Sequence, residues 1–130
     1  MGRRMSQGPA ISVLIVDDSA TMRRSVAYVL GHEGYAIHEA CDGQAALERL
    51  ASLGDVDLVI TDLNMPRLDG IGFIRKAREL PAFRFTPILI LSTESQAALV
   101  AEGRKAGATG WIVKPFDTAK LLAAVRKLAG

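Results

Sequence analysis

The sequence predicts an α/β protein with a doubly wound (βα)5 fold, in which helices cover both faces of a five-stranded parallel sheet. Short apolar runs without polar alternation, such as Leu58 to Ile60, are typical of parallel strands that are buried on both faces. Each such run is followed by a segment whose apolar residues recur at helical spacing. Because strands and helices alternate strictly and crossovers are right-handed, only a few strand orders are possible.

The first unit begins with a β-branched apolar run from Ile11 to Val16, which predicts a strand. Ser19 follows it and is a residue type that caps helices. Gly31 and Gly34 are predicted to close the first helix. The buried face of this helix is predicted to consist of Met22, Val26, Val29 and Leu30.

The second and third units follow the same pattern. Tyr35 to Glu39 predicts a short strand, and the Asp42-Gly43 turn leads into a second helix. The third strand ends at Asp62. The third helix begins after Gly70 and is expected to end at Pro81, because proline cannot continue a helix.

The last two units complete the sheet. Pro87 to Leu91 predicts the fourth strand, and Ser95 to Ala106 predicts the fourth helix. Thr109 to Val113 predicts the fifth strand, after which Asp117 or Thr118 can cap the last helix. Among the permitted strand orders we choose 2-1-3-4-5, by analogy with flavodoxin-like folds.

Length and charge limit the classes of function. At 130 residues the chain is expected to form one domain from residues 11–130, preceded by a disordered tail at residues 1–10. Arg3 and Arg4 account for the net charge of +2, so a nucleic-acid-binding face is not predicted. No apolar run approaches the ~20 residues needed to cross a bilayer, and the single Cys41 suits a reducing compartment. We therefore expect a cytoplasmic protein that binds neither nucleic acid nor membrane.

Polar side chains follow four of the predicted strands at their carboxyl ends, which meet at one edge of a parallel sheet. They are Asp17 and Asp18 after the first strand, Asp62 after the third, Ser92 and Thr93 after the fourth, and Lys114 after the fifth. Two carboxylates ~4 Å apart repel by about 4 kcal/mol at an effective dielectric of ~20, so the cluster indicates a bound cation. Carboxylate and carbonyl oxygens favour Mg²⁺ or Mn²⁺, and a lysine with a hydroxyl would suit a phosphoryl group. Each residue alone has a structural explanation as a helix cap or a surface charge, but those explanations do not account for the grouping.

Four motifs resemble the receiver domain of two-component response regulators, and the resemblance extends over residues 11–128. The motifs are V-D-D-S at 16–19, D-L-N-M-P-R-L-D-G at 62–70, L-S-T-E at 91–94 and A-G-A-T-G-W-I-V-K-P-F at 106–116. Because no output domain follows in this sequence, and because the last two motifs resemble chemotaxis members, a single-domain chemotaxis regulator is expected.

The resemblance implies a role for each residue of the cluster. Asp62 would accept a phosphoryl group from a histidine kinase, a phosphotransfer protein or a small acyl phosphate. The domain would catalyse its own phosphorylation and dephosphorylation without being a turnover enzyme. Asp18, Asp62 and the backbone carbonyl of Asn64 would bind Mg²⁺, with Asp17 assisting through water.

The resemblance also implies how the signal is read. Lys114, in a cis peptide with Pro115, would pair with the phosphoryl group, and Ser92 would donate a hydrogen bond to it. Trp111 matches the aromatic switch position, and its ring is expected to turn inward beneath the fourth helix when Ser92 moves. Serine at 92 and tryptophan at 111 depart from the threonine and the tyrosine or phenylalanine that are common at these positions. A monomer is expected to present the fourth helix, fifth strand and fifth helix to a flagellar motor switch protein.

Other functions remain open at this point. Within the resembling family, the chain could be a phosphorelay shuttle or a phosphate sink. A haloacid-dehalogenase-type phosphatase also uses a strand-end aspartate and Mg²⁺, but it needs a second aspartate where this chain has Asn64. A flavodoxin-like electron carrier is disfavoured because Asp17 and Asp18 would repel the phosphate of FMN.

Overall fold

The structure is a computed structural model that describes residues 10–129, so the tail predicted for residues 1–10 lies almost entirely outside the described residues. Strands and helices alternate along the chain, as predicted. The elements are β1 (Ser12–Val16), α1 (Ala20–His32), β2 (Ala36–Ala40), α2 (Gly43–Leu53), β3 (Leu58–Thr61), α3 (Gly70–Glu79), a short 3-10 helix (Pro81–Phe83), β4 (Ile88–Ser92), α4 (Ala97–Ala106), β5 (Gly110–Val113) and α5 (Thr118–Ala129). Within this range, no helix is both long enough and apolar enough to cross a membrane.

The five strands form one parallel sheet in the order β2-β1-β3-β4-β5. This confirms the predicted fold class and strand order. Strand β1 lies between β2 and β3. Its Val13 lies opposite Ile37 of β2 on one side and Leu58 of β3 on the other. Since every strand runs in the same direction, the residues that follow the strands are brought to a single edge.

The side chains of the strands point alternately into two hydrophobic cores. Leu14 and Val16 of β1 pack with α2, α3 and α4, whereas Val13 and Ile15 pack with α1 and α5. Every residue of β3 and β4 is buried. Burial of an aliphatic side chain of this size contributes about 1.5 to 3 kcal/mol, so the two cores fix the sheet on which the strand-end residues are mounted.

Four strands are offset from their predicted bounds by one residue, and larger differences concern two helix boundaries and one additional helix. Helix α1 ends at His32, so Gly31 lies inside it, and it is Gly34, with a φ of +91°, that turns the chain afterwards. Helix α4 begins at Ala97 rather than Ser95, because the residue before it, Gln96, has an extended backbone with a ψ of 135°. The 3-10 helix after α3 was not predicted.

Candidate functional site

Three carboxylates meet at the carboxyl edge of the sheet. Asp17 and Asp18 follow β1, Asp62 follows β3, and one carboxylate oxygen of each lies within 4.8 Å of the others. The Asp62 N–H donates to the carbonyl of Val16 at 2.9 Å. This bond extends the pairing of β3 with β1 and fixes the backbone position of Asp62. Asp17 is buried, Asp62 is half-buried and Asp18 is exposed, so the cluster opens to solvent on one side.

Lys114 reaches this cluster from the end of β5, the edge strand of the sheet. It follows β5, which pairs with β4 rather than β3, and its backbone N–H donates to the carbonyl of Ser92 at 2.8 Å. Its Nζ lies 2.9 Å from Asp17 Oδ2 and 3.3 Å from Asp62 Oδ2. The Lys114-Pro115 peptide is cis, as expected. Burial lowers the pKa of Lys114, but Asp17 and Asp62 outweigh this effect and hold that pKa above its ordinary value.

Asp17 and Asp62 use their oxygens differently. Asp17 accepts a hydrogen bond from the Ser19 N–H on Oδ1 and from Lys114 on Oδ2, so both of its oxygens are engaged. Asp62 accepts from the Leu63 N–H on Oδ1 at 2.7 Å and has only the longer contact to Lys114 on Oδ2. Asp17 therefore holds Lys114 in place, while Asp62 keeps acceptor capacity for a ligand.

The electrostatic balance at Asp62 reflects this shortage of donors. Burial raises the pKa of Asp62 above its ordinary value, and the nearby charge of Asp17 acts in the same direction. The Leu63 N–H and Lys114 lower the pKa of Asp62, but by less. Burial prevails because taking a carboxylate out of water disfavours its charged form.

Ser92, the last residue of β4, and Asn64, on the β3–α3 loop, border the cluster. Ser92 is completely buried, and its Oγ accepts from the Glu94 N–H at 3.1 Å, which leaves the hydroxyl proton free to donate elsewhere. Asn64 is exposed, and its Nδ2 lies 3.5 Å from Glu94 Oε2. The β3–α3 loop and the β4–α4 loop are thus in contact beside the carboxylates.

Trp111 contacts the start and the middle of the α4 region. Its Nε1 donates to the carbonyl of Glu94 at 2.8 Å. A Cβ built on Gly103 of α4 would lie 2.8 Å from the edge of the ring, so the glycine makes room for it. In this structure the half-buried ring already lies against α4. Its inward turn on activation stays a prediction.

Two contacts around the β3–α3 loop were missed by sequence reasoning. Asp42, treated only as part of a turn, forms an ion pair with Arg67 at 2.9 Å. Gly70 lets α3 begin close to the end of β3, since a Cβ there would overlap the carbonyl of Asp62. An aspartate before a glycine at a helix start is a capping signal. No sequence signal, however, links Asp42 to an arginine 25 residues away.

The donor set fits a hard divalent cation. Three carboxylates and one ammonium carry formal charges of −3 and +1, which leaves −2 at the cluster. The clustered donors are all carboxylate oxygens, the ligand type that Mg²⁺ and Mn²⁺ prefer over sulfur or imidazole. The exposed side of the cluster leaves room for water or a phosphoryl oxygen.

Comparison with known families and proteins gives a consistent result. The family model described as "Response regulator receiver domain" matches residues 13–126. The chain is 46% identical over 114 residues to the transcriptional regulatory protein PdtaR of Mycobacterium tuberculosis, a match that covers 87% of this chain but only 54% of PdtaR.

Solved structures of chemotaxis proteins are similar along nearly the whole chain. The chemotaxis protein CheY4 of Vibrio cholerae superimposes with a TM-score of 0.88 at 38% identity, covering 92% of this chain and 99% of CheY4. A CheX–CheY complex from Borrelia burgdorferi, described with BeF3 and Mg²⁺, gives a TM-score of 0.87 at 31% identity and covers 94% of this chain and 91% of the other.

Proposed function

Because the chain belongs to the family of response regulator receiver domains, we propose that residues 11–130 form a signalling switch in which Asp62 accepts a phosphoryl group. The donor is the phosphohistidine of a histidine kinase or phosphotransfer protein, or a small acyl phosphate. One observation carries the assignment: at the end of β3, Asp62 is one of three clustered carboxylates and lies 3.3 Å from Lys114 Nζ. Its acceptor capacity is less completely used than that of Asp17.

The same residues supply a site for Mg²⁺. We assign the carboxylates of Asp18 and Asp62 and the backbone carbonyl of Asn64 as ligands, with Asp17 assisting through water. A bound Mg²⁺ would reduce the repulsion between the anionic acceptor and the anionic phosphoryl group. The carboxylates of Asp17 and Asp62 both accept two hydrogen bonds, but Lys114 Nζ lies closer to Asp17, at 2.9 Å, than to Asp62, at 3.3 Å. Asp17 is therefore assigned the role through water rather than a direct one.

The residues of the site divide the work of phosphoryl transfer. A carboxylate oxygen of Asp62 attacks phosphorus, the P–O bond forms, and the P–N bond of phosphohistidine breaks with its electron pair remaining on the imidazole nitrogen. Lys114 pairs with the phosphoryl oxygens, and the free hydroxyl proton of Ser92 can donate to one of them. In dephosphorylation, water attacks phosphorus, inorganic phosphate leaves, and the Asp62 carboxylate is restored.

The partner that reads the phosphorylated state is proposed to be a flagellar motor switch protein in the cytoplasm, bound by a monomer of this chain. Similarity to chemotaxis proteins over more than nine tenths of the chain supports this target. The proposed surface comprises α4, β5 and α5, where Val113 is 44% exposed beside a shallow groove. That groove is lined by Trp111, Ile112, Val113, Pro115, Asp117 and Lys120.

A second candidate target is a transcriptional output. The 46% identity to PdtaR, whose name describes a transcriptional regulatory protein, exceeds the 38% identity to CheY4. The chain spans about half the length of PdtaR, so only that half of PdtaR is comparable.

Intact mass spectrometry tests the phosphoryl-acceptor function. Incubation with Mg²⁺ and acetyl phosphate should increase the mass by one phosphoryl group, and chelation of Mg²⁺ should prevent the increase. An unchanged mass in the presence of Mg²⁺ and donor would contradict the proposal.

Affinity capture from a chemotactic cell, with and without the phosphodonor, tests the motor as the target. Recovery of a motor switch component only with the donor supports the motor. Recovery of a phosphotransfer protein alone, in either state, would instead favour a relay or a phosphate sink.

A further inference from the structure

Arg67 occupies an unusual backbone position in the loop that joins β3 to α3. Its φ is +66°, and among the described residues it is the one non-glycine residue with a positive φ. The N–H of Leu68 donates to the carbonyl of Pro66 at 2.7 Å, which closes a three-residue turn with Arg67 at its centre. A γ-turn with a positive φ at its centre is a rare and strained form, so other contacts must hold this one in place.

The side chain of Arg67 supplies such a contact. Its Nε and Nη2 donate to the two carboxylate oxygens of Asp42 at 2.9 and 3.1 Å, in the bidentate geometry that guanidinium and carboxylate favour. Asp42 is itself fixed, because it is 4% exposed and its Oδ1 accepts from the Ala45 N–H at the start of α2. Arg67 is therefore anchored to a rigid helix end.

Backbone hydrogen bonds also hold the β3–α3 loop between Asp42 at the start of α2 and the carboxylate cluster. The Gly43 N–H of α2 donates to the carbonyl of Leu68, and a Cβ at Gly43 would overlap that same carbonyl. The Gly70 N–H donates to the carbonyl of Leu63 at 2.8 Å, which ties the two ends of the loop together. Asn64 lies inside this closed loop, three positions before Arg67.

We propose that Arg67 is a positioning residue for cation binding: its bidentate pair with Asp42 fixes the β3–α3 loop, residues 62–70, against α2 and so places the backbone carbonyl of Asn64 beside Asp18 and Asp62. This inference rests on the proposed function, because it takes the Asn64 carbonyl as a Mg²⁺ ligand. Mg²⁺ requires near-ideal octahedral geometry at short distances, so its affinity is sensitive to the placement of one oxygen.

The first experiment measures the dissociation constant of Mg²⁺ by titration calorimetry for the wild type, Arg67→Ala and Arg67→Gly. We expect Mg²⁺ to bind roughly tenfold more weakly to both variants, the lower end of the effect of losing a residue that supports a metal ligand. The two variants separate the ion pair from the backbone strain, because glycine adopts a positive φ without strain and alanine does not. If strain alone mattered, Arg67→Gly would bind Mg²⁺ as tightly as the wild type, and that result would overturn the proposal.

Arg75→Ala is the matched control. The side chain of Arg75 is 55% exposed, against 56% for Arg67, and it also pairs with a carboxylate, that of Glu102 at 3.7 Å. It lies on α3 and makes no ion pair with the loop. We expect Arg75→Ala to bind Mg²⁺ as the wild type does, and an equal loss in this control would show that removal of any surface arginine suffices.

Ion selectivity distinguishes positioning from a general loss of stability. Ca²⁺ accepts longer and less regular coordination than Mg²⁺. The Arg67 variants should therefore lose more affinity for Mg²⁺ than for Ca²⁺, and Arg67→Lys, which keeps the charge but not the fork, should give an intermediate Mg²⁺ affinity. Equal losses for the two ions would overturn the proposal. Failure of the wild type to bind Mg²⁺ would instead overturn the proposed function along with it, so the two failures are distinguishable.

Discussion

Asp42 and Asp62 are two carboxylates in similar surroundings whose pKa values are shifted in opposite directions. Each follows a strand of the parallel sheet, and their side chains are only 6% and 13% exposed. Each lies near a basic side chain, Arg67 at 2.9 Å and Lys114 at 3.3 Å. Yet the pKa of Asp42 is lowered from its ordinary value and the pKa of Asp62 is raised.

The number and sharing of hydrogen-bond donors explain the difference. The bidentate hydrogen bonds of Arg67 lower the pKa of Asp42 most, the Ala45 N–H adds to this, and together they outweigh burial. Asp62 has one backbone donor and a lysine that is closer to Asp17, so burial prevails. A carboxylate whose oxygens accept several strong hydrogen bonds from the protein stabilises the fold. One that accepts fewer remains able to bind a ligand.

The largest effect expected from this comparison is on phosphorylation. Asp62→Asn should abolish the mass increase seen with Mg²⁺ and acetyl phosphate, because an amide cannot act as the nucleophilic carboxylate. Asp42→Asn should still be phosphorylated at saturating Mg²⁺, since Asp42 lies outside the carboxylate cluster and supports the cation only through Arg67. Intact mass against time measures both, and phosphorylation of Asp62→Asn at the wild-type rate would show that the acceptor lies elsewhere.

Thermal stability at neutral pH should change in opposite directions. Asp42→Ala removes a helix cap and leaves Arg67 without its partner, so we expect a loss of about 1 to 2 kcal/mol. This corresponds to a fall in Tm of roughly 4 °C for each kcal/mol. Asp62→Asn should raise Tm in the absence of Mg²⁺, because it removes a buried charge and its repulsion with Asp17. Calorimetry or circular dichroism measures the Tm of both variants. A fall in Tm for both would contradict the proposed contrast.

The pH dependence of stability tests the two pKa shifts directly. The raised pKa of Asp62 means that the folded protein binds this proton more tightly, so its contribution to stability is lost as pH rises from the ordinary carboxyl range through the folded pKa. The lowered pKa of Asp42 gives the reverse: its contribution is present above the ordinary value and is lost as pH falls through the folded pKa.

Melting curves from strongly acidic to neutral pH separate these cases. The Tm advantage of Asp62→Asn over the wild type should grow as pH rises, while the Tm deficit of Asp42→Asn should shrink only at the most acidic values. The same pH trend in both variants would refute the assignment of opposite shifts.

The smallest expected signal is in the fluorescence of Trp111, the single tryptophan of the chain. Beryllofluoride with Mg²⁺ should mimic the phosphoryl group at Asp62 and draw hydrogen bonds from Lys114 and Ser92, each worth about 1.5 to 3 kcal/mol. Two such bonds approach the ~5.5 kcal/mol needed to reverse a two-state ratio of about 1:99. Because Ser92 Oγ bonds the Glu94 N–H and Trp111 Nε1 bonds the Glu94 carbonyl, movement of Ser92 should alter the environment of the ring.

Ser92→Ala is the control for this coupling. It should lose most of the emission change while still binding the mimic, which calorimetry can verify. An unchanged wild-type spectrum at saturating mimic would exclude the coupling, although Asp62 could still be the acceptor.

Much of the fold, and the grouping of Asp17, Asp18 and Asp62, followed from the sequence by itself. Alternating apolar runs and amphipathic segments are local patterns, and each is set by backbone hydrogen bonding and the burial of one face. Parallel strands then bring every strand end to one edge, so a position immediately after a strand suffices to place Asp62 beside Asp17. The resemblance of the motifs added the family, which the family model supports independently.

Only the tertiary structure decided how those side chains are used. The ion pair of Arg67 with Asp42, the packing of Trp111 against Gly103 and the commitment of Lys114 chiefly to Asp17 all join residues on different elements. Such contacts depend on loop conformation and on approaches within about 3 Å, which local periodicity does not encode. The sign of each carboxylate's pKa shift depends on the same contacts, because burial and hydrogen bonding oppose each other and only the folded geometry sets which one prevails.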